Sequence, residues 1–137
     1  MLGSNPLALR RVRRVLIRLR VVTPLAGGSQ VRVVVGPANS GTVQHSHSIL
    51  GALGFSFADI TPLTASFADG GAWVGRGEAD AQLQCPIPNP VMTKLDATWD
   101  YKVIGYAPGD LGAVLNKHSV YRQANMREGA LRALKED

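Results

Sequence analysis

The chain has 137 residues, 45% of them hydrophobic and 18% charged, with a formal net charge of +5. That length suits a single domain able to bury roughly 65 to 70% of its unfolded surface, and so to hold together without a metal or a disulfide. A lone cysteine, Cys85, excludes an internal disulfide, and no apolar run approaches the roughly 18 to 20 residues that span a bilayer, so no membrane role is expected.

The charge is polarised along the chain. Seven arginines (Arg10, Arg11, Arg13, Arg14, Arg18, Arg20 and Arg32) and no lysine or carboxylate occupy the first 58 residues, giving +7, whereas the remainder carries eight cations against ten carboxylates. Such asymmetry points to a nucleic acid, membrane or acidic protein partner. The Arg-rich start superficially suggests an organellar presequence, but it alternates like a strand and is poor in serine.

In chain order, residues 14–21 place Val15, Ile17, Leu19 and Val21 on one face and Arg14, Arg18 and Arg20 on the other, a period of two that predicts a strand. Residues 8–14 also fit a helical turn. A loop holding Pro24, Gly27 and Gly28 leads to a second predicted strand at 30–35, and the two read as a hairpin. Residues 36–41 form a turn cluster, 48–53 a short helix stopped by Gly54, and 55–57 a brief strand.

From Trp73 to Cys85 the odd positions are Trp73, Gly75, Gly77, Ala79, Ala81, Leu83 and Cys85, with Arg76, Glu78, Asp80, Gln82 and Gln84 between them. This reads as a strand with a small-residue inner face, suited to a sharp bend or a close backbone approach. Residues 86–90 contain three prolines and read as an extended linker. Ala97, Trp99, Tyr101 and Val103 then alternate with Asp96, Thr98, Asp100 and Lys102 as a further strand, which Ala107, Pro108 and Gly109 end. Asp110 caps a turn carrying Leu111, Val114 and Leu115, and Asn125 with Glu128 forms a capping-box pair opening a helix at 126–135.

These readings add up to a mainly β fold, a small antiparallel sandwich or barrel with a short C-terminal helical segment. It is expected as one domain over 1–137, with a basic N-terminal arm at about 1–14 and a helical tail at about 110–137.

No motif names a reaction. The segment Gly36-Pro37-Ala38-Asn39-Ser40-Gly41-Thr42 has the glycine spacing of a phosphate-binding loop, but Thr42 stands in the place of the lysine and Pro37 removes an amide, so an ordinary turn is expected. His45 and His47 would share a face on a strand, yet two ligands do not make a zinc site, and Cys85 and His118 lack motif spacing; no metal or other cofactor is expected. Neither a Gly-x-Ser-x-Gly elbow nor a Cys-His signature is present, and no enzyme activity is expected.

The arginine fork suits phosphate and carboxylate alike. The basic segment contains no aromatic residue for base stacking, the first being Phe55, so a nucleic acid would be held by its backbone phosphates alone. The alternative partner is protein: Arg10, Arg11, Arg13, Arg14, Arg18, Arg20 and Arg32 as a basic face meeting Glu78, Asp80, Asp96 and Asp100 of an adjacent copy. The resulting expectation is a non-catalytic structural subunit of a large homo-oligomeric assembly, placed in the virion of a tailed bacteriophage as a head-to-tail, tail or capsid-stabilising protein. A cytoplasmic nucleic-acid-binding module using the arm is the alternative.

Overall fold

The computed structural model describes residues 30–84, 89–99, 101, 106, 108–125, 127 and 131. Three strands, β1 (Arg32–Gly36), β2 (Thr61–Thr64) and β3 (Ala81–Gln82), form one sheet in the order β2-β1-β3. Both pairings are parallel: Val33 faces Pro62 on one side and Ala81 on the other, and Val34 faces Leu63 and Gln82. Parallel neighbours cannot be joined by a tight turn and need a crossover, usually a helix. Here α1 (Gly41–Ala52) links β1 to β2 and α2 (Phe67–Arg76) links β2 to β3, followed by α3 (Pro90–Thr98) and α4 (Pro108–Lys117).

The central strand shows why the sheet is covered on both faces. Val31, Val33 and Val35 pack with Leu50 of α1 and Ile60, with Val43, Leu53, Phe55 and Phe57 around them. Val34, pointing the other way, packs with Val74 of α2 and Ala79, against Leu63, Trp73 and Tyr101. A continuous valine run is what a parallel strand buried on both faces requires. Each of these valines is at most 2% exposed, and burial of a side chain of this size stabilises by roughly 1.5–3 kcal/mol. Pro62, which has no amide to donate, sits on the edge strand β2, where the loss is tolerated.

Helix α2 owes its packing to missing side chains. A Cβ on Gly71 would lie 2.3 Å from Leu95 Cδ1, and one on Gly75 would lie 2.3 Å from Trp99 Cδ2. Leu95 and Trp99, one turn apart at α3 and its C-terminal cap, therefore rest directly on the α2 backbone. Gly77, at φ 79°, closes α2 in the left-handed conformation, the usual glycine helix stop.

The antiparallel sandwich or barrel expected from the sequence is therefore incorrect: the fold is an open parallel sheet with helices on both faces. The strand expected at 30–35 exists as β1. The one expected across 73–85 is instead the end of α2, its glycine cap and the two residues of β3. Its alternation was an accident of small residues; the positions buried within α2 are Gly70, Gly71 and Val74, a helical spacing. Each glycine costs a helix about 1 kcal/mol, and the close contacts with Leu95 and Trp99 override that local preference.

Of the strand expected from Ala97 to Tyr106, Ala97 and Thr98 belong to α3, Trp99, Tyr101 and Tyr106 are in no strand, and residues 100 and 102–105 lie outside the described residues; the strand expected at 55–57 gives way to a 3-10 turn, Phe57–Asp59, with a Ser56–Asp59 capping box. The basic arm, the strand at 14–21 and all of the tail helix at 126–135 except residues 127 and 131 lie outside the described residues.

Candidate functional site

In a parallel sheet, every helix that follows a strand begins at the same edge, the carboxyl ends of the strands. At the end of β1 the chain turns through Gly36, at φ 120°, and Asn39, at φ 56°, into Ser40. A Cβ on Gly36 would lie 2.7 Å from Thr42 Cβ, so only glycine lets the strand end this close to the helix it precedes. Ser40 is the N-cap of α1, its Oγ accepting from the Val43 amide at 3.3 Å. The buried Ser46 hydroxyl lies 3.0 Å from the Val35 carbonyl and 2.8 Å from that of Thr42, fixing α1 to β1 just below this turn. The amides of Gly41 and Thr42 fall in the first turn, where a helix offers no acceptor of its own.

The other two strand ends are built alike. Beyond β2, Ser66 caps α2, accepting from the Asp69 amide at 3.1 Å and donating to the Asp69 carboxylate at 2.7 Å. Beyond β3, Asn89 caps α3, its Oδ1 accepting from the Met92 amide at 2.8 Å. A chain of side-chain amides joins these two caps: Asn89 Nδ2 donates to Gln84 Oε1 at 3.0 Å, Gln84 Nε2 to Gln82 Oε1 at 3.1 Å, and Gln82 Nε2 to the Phe67 carbonyl at 3.0 Å. Phe67 is the first residue of α2. The edge thus presents three capped helix starts, each carrying the partial positive charge of its helix, braced by amides. The 36–44 segment contains no lysine or arginine.

The residues singled out by charge are arranged differently. Arg32 lies at the opposite edge, where it holds Asp80: Nη2 to Oδ1 is 2.9 Å, Nε to Oδ2 is 3.1 Å, and the Arg32 amide also donates to Oδ2 at 2.8 Å. This bond raises the Arg32 pKa. The pair ties the first residue of β1 to the residue before β3. Glu78 pairs with Arg76 at 2.7 Å, which lowers its pKa and raises that of Arg76. Asp96 is buried in α3 at 7% exposure. Glu78, Asp80 and Asp96 are therefore not a common acidic face: two are engaged by arginines of their own chain and one is interior. Asp100, and Arg10, Arg11, Arg13, Arg14, Arg18 and Arg20, lie outside the described residues.

His45 and His47 stand on a helix rather than a strand, which rotates them about 200° apart. His47 stacks on Phe57 with ring centroids 3.6 Å apart, and His45 Nδ1 meets the Tyr121 hydroxyl at 2.6 Å. Among the described residues no three His, Cys, Asp or Glu side chains come together as a metal site, and no helix is long and apolar enough to cross a membrane. No family profile matches this chain, and no curated protein matches it.

The loop of this edge is visible in the sequence through the glycine spacing of residues 36–41, although Thr42 stands where a phosphate-binding loop has its lysine. The sequence carries no signal for Gln82, Gln84 and Asn89, whose convergence depends on β3 lying beside β1.

Proposed function

We propose that this domain is a non-catalytic binding module that takes a small carboxylate-bearing molecule at the carboxyl edge of its sheet, between the 36–41 loop and the end of β3. The observation that carries the reading is the strand order β2-β1-β3. The connection leaving β1 turns to one side and the next crosses to the other, which opens a crevice between the ends of β1 and β3. Open parallel α/β sheets bind ligands at such a switch point, and helix starts favour anions there. This is an argument from fold geometry. The absence of a lysine in the loop argues for a singly charged carboxylate over a polyphosphate, whose terminal phosphates call for that ammonium.

Gly41→Pro tests it without disturbing the fold. Gly41 is the first residue of α1, nothing lies within 4 Å of a Cβ placed there, and Ser40 before it is extended at φ −90°, ψ 163°. Proline is favoured at this helical position and its predecessor must be extended, yet the substitution removes one anion-facing amide. Calorimetric titration with a panel of small mono- and dicarboxylates, inorganic phosphate and nucleotides should show saturable binding of a carboxylate that Gly41→Pro weakens about tenfold, the effect of one lost hydrogen bond to a charged group. Undiminished binding by the variant, or preference for a nucleotide, would overturn the reading.

The assembly or nucleic-acid role expected of the N-terminal arm is a separate proposal, supported by the charge polarity of the chain. If the arm joins copies, Arg14, Arg18 and Arg20 changed together to Ala should lower the mass measured by light scattering. If it lies on phosphates, mass is unchanged and the salt dependence of nucleic acid retention flattens.

A further inference from the structure

After α4, the chain climbs one flank of α1 towards the carboxyl edge of the sheet. Lys117 Nζ donates to the Gly51 carbonyl at 3.4 Å, His118 Nε2 donates to the Ser48 carbonyl at 3.1 Å, and the Tyr121 hydroxyl meets His45 Nδ1 at 2.6 Å. Gly51, Ser48 and His45 are spaced by three and so share one face of α1. At the rise of an α-helix these contacts advance about 9 Å along α1, and the last stands about 6 Å below Gly41.

The helix itself tells which flank this is. Ser46 faces the sheet, its hydroxyl on the Val35 carbonyl of β1, and His45 and His47 stand about 100° to either side of it. His47 stacks on Phe57, which leads into β2. The His45 flank therefore faces away from β2, over the β3 side of β1. Since the crevice opens between the ends of β1 and β3, the ascending segment arrives at its mouth.

Arg122 is the next residue, and it is exposed. Its Nη1 donates to the Ser119 and Tyr121 carbonyls, which uses both hydrogens of that nitrogen and holds the guanidinium plane. The Nε and Nη2 hydrogens, the pair that meets a carboxylate bidentately, have no partner among the described residues. Arg32 and Arg76, by contrast, are engaged by Asp80 and Glu78. No carboxylate in residues 36–52 competes for Arg122. Resting on the carboxylate reading above, we propose that the ligand is a short dicarboxylate, with one carboxylate at the start of α1 and the other on the open fork of Arg122. The two anchor points lie about one helical turn apart along α1, a span that the carbon chain of succinate bridges. The cation that the 36–44 segment lacks is then brought in by the segment after α4.

Calorimetric titration of the whole chain with succinate and with succinamate, in which one carboxylate is replaced by a neutral amide of the same shape, tests this. The native chain should bind succinate about tenfold more tightly than succinamate, the effect of one charge-assisted pair. Arg122→Gln, a change to an exposed side chain, should bind both ligands at the native succinamate level. Gly41→Pro should weaken both and keep their ratio. Equal binding of the two ligands by the native chain, or a preference for succinamate, would overturn the dicarboxylate proposal while the carboxylate reading stands. A preference for succinate that persists in Arg122→Gln would do the same, by placing the second carboxylate on another residue. Binding of neither ligand would overturn both.

Discussion

Tyr101 shows how much a single side chain depends on its surroundings. Its hydroxyl donates to the Gly71 carbonyl and its ring packs against the Val34 and Val74 cluster. Burial pushes its pKa up to about 12. The folded state therefore favours the neutral phenol, and the stability this provides is full below about pH 10, the ordinary tyrosine value, and declines as pH rises towards 12 because the unfolded chain ionises first. Tyr101→Phe should remove the late phase of the alkaline ultraviolet titration and cost about 1 kcal/mol in urea unfolding for the lost hydrogen bond. Asp80 is the other residue of this kind. Asp80→Ala leaves Arg32 without its carboxylate and two donors of the β1 start unmatched, and should lower urea stability by about 1–3 kcal/mol.

At the scale of the element, glycine placement separates two kinds of helix position. Gly75→Ala sets a Cβ against the Trp99 ring at 2.3 Å, so it should destabilise by about 1–3 kcal/mol through overpacking, even though alanine is the better helix former. Gly51, within α1, has open space where its Cβ would stand, and Gly51→Ala should stabilise by about 0.4–1 kcal/mol. Denaturation midpoints of the two variants should move in opposite directions.

The same helices account for what the sequence conveyed. Strand β1 was legible because Val31 and the run Val33 to Val35, broken only by Arg32, stand just before the turn signals of residues 36–41. The start of α4 was legible from Asp110 and the apolar positions after it. Helix α2 was not, since Gly70, Gly71 and Gly75 all speak against a helix until Leu95, Trp99 and Gln82 are placed on them. Of the candidate site, only the 36–41 loop left a trace in the sequence. The same six residues suit an isolated turn or a strand-to-helix junction, and the parallel pairing of β1 decides between them.

For the whole molecule, parallel pairing fixes which residues share an edge. The charged residues that dominate the sequence, Arg32 and Asp80, stand at the start of the strands and act as a fastening. The uncharged Ser40, Gln84 and Asn89 stand at their ends, where a ligand would meet them. Charge was the loudest signal in the sequence, and for Arg32 and Asp80 it marks an ion pair within the chain, because such pairs and surfaces facing a partner use the same residue types. The alternation that suggested antiparallel strands failed for a related reason: it records local neighbours, whereas parallel pairing joins segments brought side by side by the helical crossovers between them.

The line of amides at the end of β3 also has a direction. It starts from the Met92 amide and finishes on the Phe67 carbonyl, and every link between them points the same way. With a backbone donor at one end and a backbone acceptor at the other, no link can flip alone, so α2 and α3 are joined by something closer to a ratchet than to glue. Exchanging Gln84 for glutamate changes almost nothing in shape, yet it sets oxygen against the Gln82 oxygen and breaks the sequence in its middle. The brace between the starts of α2 and α3 is then lost, and the two helices are held to each other by the seating of Leu95 and Trp99 on Gly71 and Gly75.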